Sequence, residues 1–124
     1  MTDRINVDYF YKEVCDSDYD FMLKTINGFN EYSLSILNTL RELSEPQNKD
    51  RQEAVQLIHM FCGSIGLLGF AEQAHELSQF ENQLRQGTVQ YDESLHNNVS
   101  RLVRAVSTEL DKYLSIIKRR KDVW

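Results

Sequence analysis

The sequence predicts an all-α fold: an antiparallel up-down four-helix bundle with a short additional helix at its N-terminal end. Three observations carry this. Pro46 is the single proline and there are only five glycines in 124 residues, which favours long helices over a turn-rich β fold. Apolar residues recur at three- and four-residue steps through most of the chain, the period that gathers them on one face of a helix. Short joints with helix start and stop signals separate these segments, and short joints force neighbouring helices to run antiparallel.

The elements follow in order. Val7 to Val14 is a short helix with Val7, Phe10, Tyr11 and Val14 on one side, expected to lie across the end of the main body. The run D-S-D then offers start signals, with Ser17 and Asp20 as a capping pair. From there Met22, Ile26, Phe29, Ser33, Ile36, Leu37, Leu40 and Leu43 mark a long amphipathic helix. It stops before E-P-Q-N, because Pro46 disfavours helical geometry at Glu45. The third helix begins near Asp50, whose side chain can cap it with Glu53 at the third position. Ala54, Leu57, Ile58, Phe61 and Ile65 face inward, and the G-L-L-G run ends or bends it. The fourth helix spans about Phe70 to Gln86, with Phe70, Ala74, Leu77, Phe80 and Leu84 inward and Gly87 as its stop. The fifth starts near Asp92 and runs through Leu95, Val99, Leu102, Val103, Val106, Leu110, Leu114 and Ile117. It closes on K-R-R-K, whose cations complement the carboxyl end of the helix dipole.

Composition narrows the function classes. The length suits one domain, residues 1–124, with a real core. Hydrophobic residues make up 41% and charged residues 27%, a globular balance. A net charge of −5 argues against a general nucleic-acid surface. No apolar stretch approaches the roughly 20 residues that cross a bilayer, and M-T-D-R-I-N has no signal-peptide core. Cys15 and Cys62 stand in no metal-ligand spacing, which suits a reducing cytoplasm and no bound metal. A start directly after Met1 suits a free-standing protein, although an excised piece of a longer chain would read the same.

The most informative segment is I-H-M-F-C-G-S-I-G-L-L-G-F, Ile58 to Phe70. An α-helix turns about 100° per residue. Relative to Ala54, the residues Ile58, Phe61 and Ile65 fall within about 40°, whereas His59 lies about 140° away, Gly63 near 180° and Gly66 near 120°. His59 is therefore predicted to be exposed, with no bulky neighbour C-terminal to it. Val55 and Cys62 share its flank nearer the core boundary. Glycine in a helix interior costs about 0.5–1 kcal/mol relative to alanine. Gly69 is explained by the turn between helices; Gly63, on the outward face, is better explained by clearance for another protein. His75 is expected at the core boundary of the fourth helix and His96 in solvent at the start of the fifth. A zinc site from these histidines with Glu76 or Glu81 lacks an i,i+4 histidine pair.

This segment resembles the histidine-containing phosphotransfer (HPt) domain of bacterial phosphorelays, whose pattern is H-x-Φ-K-G-S-x-x-x-Φ-G with Φ apolar. His59, Phe61, Gly63, Ser64, Leu68 and Gly69 match it. The runs L-I-H (Leu57–His59) and E-x-Q-L-R-x-G (Glu81–Gly87) are similar to those of HPt modules at the C-terminus of hybrid sensor kinases. With the helical layout, the likeness spans nearly the whole chain. It implies a cytoplasmic, monomeric phosphocarrier with no ATP-dependent kinase activity and no cofactor of its own. His59 would accept a phosphoryl group from the aspartyl phosphate of one receiver domain and pass it to another, in response regulators or hybrid histidine kinases, with magnesium on the receiver. Val55, Met60, Cys62 and Gly66 would rim the docking surface. Glu81 would either accept a hydrogen bond from the His59 ring or stand as a solvated carboxylate. The family usually has lysine where this chain has Cys62. Arg85, one turn after Glu81, either supplies the missing cation or forms an ordinary i,i+4 pair with Glu81. The competing expectation is a degenerate module that binds receivers or acts as a scaffold without carrying phosphate.

Overall fold

A computed structural model describes residues 6–47 and 50–123. The M-T-D-R-I start and Asn48 of the E-P-Q-N joint lie outside them. Among the described residues the chain is all-helical, with no strand. Helix α1 (Val7–Tyr9) is capped by Asn6, whose side chain accepts from the Tyr9 amide. It widens into a π-helical turn over Phe10–Val14. Asp16 and Ser17 then take left-handed backbone angles, φ 55° and 56°. That geometry overturns the Ser17–Asp20 cap: an N-cap needs an extended backbone. Asp18, at φ −104° and ψ 107°, supplies it instead, accepting from the Phe21 amide.

Helix α2 spans Tyr19–Leu43 and buries the periodic set read from the sequence, from Met22 to Leu43 with Ser33 included. It ends three residues before the proline, consistent with the bar that Pro46 places on helical geometry at Glu45. Helix α3 (Arg51–Leu67) starts on Asp50, which accepts from the Glu53 amide at 3.0 Å. Gly69, at φ 96°, makes the turn that follows. Helix α4 covers Ala71–Gln86, one residue later than predicted, because Phe70 is its N-cap. Gly87 is left-handed at φ 76°; its amide bonds the Leu84 carbonyl and that of Thr88 bonds Gln83. This is the Schellman closure that glycine favours. Helix α5 (Glu93–Val123) begins on Asp92, whose side chain accepts from Leu95.

The four long helices pack in a closed circuit: α2 on α3, α3 on α4, α4 on α5 and α5 on α2, with α1 against α5. One apolar cluster draws on all of them. At one end Phe10 and Phe70 both lie against Tyr113, with ring centroids 5.7 and 6.3 Å apart. Phe61 is fully buried and meets Tyr32 edge-on at 6.0 Å, so truncating it to alanine should cost about 3–5 kcal/mol. Among the described residues no helix is long and apolar enough to cross a membrane.

Two expectations for α5 and α4 change. His96 is buried, not solvated, because the approach to α5 folds over it and places the Tyr91 hydroxyl 2.8 Å from Nδ1. His75 is exposed rather than at the core boundary, 3.3 Å from the Gln79 amide nitrogen one turn on.

Candidate functional site

The inward stripe of α3 is where its period places it: Ala54, Ile58, Phe61 and Ile65 are all fully buried. His59, pointing about 140° from that stripe, keeps 68% of its side chain exposed. It is not free in space, however. Its Nδ1 lies 3.1 Å from both carboxylate oxygens of Glu81 on α4.

Glu81 is the unusual member of the site, since its side chain is only 8% exposed. A buried carboxylate is costly unless paired and hydrogen-bonded. Here three groups converge on it. Arg85 donates through both Nε and Nη2 to Oε2, at 2.9 and 2.7 Å. The His59 ring meets both oxygens, and the Cys62 thiol donates to Oε1 at 3.9 Å. Helical spacing builds this arrangement: His59 and Cys62 are three apart on α3, while Glu81 and Arg85 are four apart on α4. The alternative of a solvated Glu81 is thereby overturned, and Arg85 is the i,i+4 partner of Glu81.

The electrostatics follow from Glu81. Burial pushes the Cys62 thiol up to about 11, and the Glu81 charge and hydrogen bond push in the same direction. Cys62 is thus a neutral thiol donor at physiological pH. A carboxylate against Nδ1 holds the ring proton there, which leaves the lone pair of the neutral imidazole on Nε2, the edge turned away from Glu81.

Neither Gly63 nor Gly66 is crowded. A Cβ at Gly63 would meet nothing within 4 Å, so internal packing does not call for glycine there. A Cβ at Gly66 would make ordinary contact with Ala74 at 3.8 Å. Ser64 faces α2 and not the His59 ring: its hydroxyl donates to the Met60 carbonyl and lies 3.4 Å from the Tyr32 hydroxyl.

Met60 is 45% exposed. Val55 is not: it is 6% exposed and belongs to the core. The physical reason is that α4 packs along the same flank of α3, so a boundary position one turn before His59 is covered. Leu67, 83% exposed, is the surface residue the sequence reading passed over. It stands seven residues after Met60 with Gly63 between them, a spacing that puts all three on one outward strip.

Comparisons with protein-family models, with curated proteins and with solved structures found no match.

Proposed function

We propose that this chain is a cytoplasmic histidine phosphotransfer module of the HPt kind, acting as a monomer on receiver domains. The observation that carries the reading is an exposed imidazole held through Nδ1 by a buried carboxylate. In the proposed step the Nε2 lone pair attacks the phosphorus of a receiver aspartyl phosphate. The N–P bond forms, the P–O bond to the aspartyl carboxyl breaks, and the aspartate leaves with that electron pair. The ring becomes an N-phosphoimidazolium, and the Glu81 charge beside Nδ1–H offsets its positive charge. Transfer onward to a second receiver reverses these bond changes. The phosphoryl group in flight depends mainly on positioning and charge neutralisation, which the receiver and its magnesium would largely supply. The clear space over Gly63, between Met60 and Leu67, suits a close protein approach. The closed circuit of helix contacts, with short joints, supports an antiparallel up-down four-helix bundle.

A second reading, a bundle that binds receivers without carrying phosphate, is favoured by one observation. The position that usually holds lysine is a neutral thiol, and the Arg85 guanidinium is already engaged by Glu81. Incubation with an aspartyl-phosphorylated receiver separates the two. The transfer reading expects acid-labile label on the wild-type chain and none on His59→Gln, with helical content and melting temperature nearly unchanged because His59 is exposed. Label that survives His59→Gln but disappears in His75→Gln overturns the assignment.

A further inference from the structure

We propose that the groove between α2 and α5 binds a small dianionic oxyanion, inorganic phosphate or a small phosphomonoester, through His96, Arg41 and Arg104. The groove, of about 140 Å³, is lined from α2 by Asn30, Ser33 and Arg41 and from α5 by His96, Ser100 and Arg104. These helices are not the ones that carry His59. Among its described lining residues none is acidic, in a chain whose net charge is −5. The ion pairs among the described residues engage neither Arg41 nor Arg104.

His96 is buried, with 6% of its surface exposed. The Tyr91 hydroxyl lies 2.8 Å from His96 Nδ1, so that edge of the ring is already paired. With Tyr91 donating to Nδ1, the neutral ring would carry its proton on Nε2, at the opposite edge. Tyr91 lines only the larger neighbouring cavity, whereas His96 and Arg41 line both. The ring thus stands between the two and lines the groove as well. A second buried polar atom points to the same need: Ser33 Oγ has no hydrogen-bond partner among the described residues, an arrangement folded proteins avoid. Two guanidinium forks match an oxyanion in shape, and their two charges match a dianion. A monoanionic carboxylate would leave one cation in excess. Both arginines also disfavour protonation of His96, and an anion between them would relieve that repulsion.

The test is a titration of the full chain with inorganic phosphate at constant ionic strength, following the His96 ring by NMR and the melting temperature. Glycerol phosphate, acetate and chloride serve as parallel arms. The expected result is a saturable shift of the His96 Nε2 resonance and a rise in melting temperature with phosphate, glycerol phosphate or both. Arg41→Gln and Arg104→Gln, each at an exposed position, should weaken binding by at least about tenfold, the worth of one charge-assisted hydrogen bond. His59→Gln should bind as the wild type does. An unmoved His96 signal, an equal response to acetate or chloride, or an unchanged titration in both arginine variants overturns the proposal.

Discussion

Replacing Glu81 separates its two duties, holding the His59 ring and filling a buried position between α3 and α4. Glu81→Ala removes the acceptor at 3.1 Å from Nδ1. A hydrogen bond to a charged group contributes about 1.5–3 kcal/mol. His59 is 68% exposed, so water replaces part of that, leaving about 1 kcal/mol of orientation and charge compensation. The phosphorylation rate should then fall about fivefold. Stability should change little, within about 1 kcal/mol, because losing the pair is offset by no longer burying a carboxylate. Arg85 and His59 are both exposed, so neither is stranded as a buried charge. Glu81→Gln keeps an oxygen for Nδ1–H but not the charge, and its rate should fall between the two. Chemical phosphorylation with phosphoramidate, followed by ³¹P NMR, needs no partner protein and tells the two ring isomers apart. Phosphate on Nδ1 in the wild type, or equal rates in wild type and Glu81→Ala, would refute the reasoning.

Three further outcomes are expected. Gly63→Leu should slow transfer from a receiver while leaving chemical phosphorylation intact, and Gly63→Ala should raise helix stability by about 0.5–1 kcal/mol; an unchanged receiver rate for the leucine variant would remove the docking role. Cys62→Lys should favour phosphohistidine by about 1 kcal/mol, with a larger gain in an Arg85→Ala background, so identical rates across the four combinations would assign all useful charge to the receiver. Acid should destabilise the fold through His96, whose pKa is lowered from its ordinary 6.5 by burial and then by Arg41 and Arg104. The unfolded chain takes up that proton first, so stability is lost as pH falls below about 6.5. Denaturant melts of wild type and His96→Gln across pH 7 to 5 check this, the variant losing less.

Local chemistry made much of the fold readable. Asp50 with Glu53, and Gly87 after Gln86, carry their helix ends in their own side chains or backbone freedom, so each stands where the sequence put it. The direction of His59 followed from one rotation per residue. What escaped depended on non-local contacts. Val55 sits at an angle that periodicity leaves ambiguous, and only the path of α4 decides that it is buried. His96 reads as polar at a helix start, and its burial comes from Tyr91 in the preceding segment. Ser17 was a sound cap by composition but not by backbone angle, which the π turn before it sets. Glu81 is singled out only through the family resemblance, and its depth between helices is not legible in the sequence.

The distances along the chain between contacting groups have a kinetic consequence. Asp8 pairs with Arg120 across 112 positions, and Tyr19 meets Lys121 at 4.7 Å, so that end of the protein closes only when its remotest segments meet. His59 and Glu81 are just 22 positions apart, in adjacent helices. Contacts of short sequence separation form early and need little loop closure. The imidazole's cradle can therefore assemble with the α3–α4 hairpin and outlast fraying at the far end. Hydrogen exchange should show α1 and the last turns of α5 opening at lower free energy than the backbone around His59.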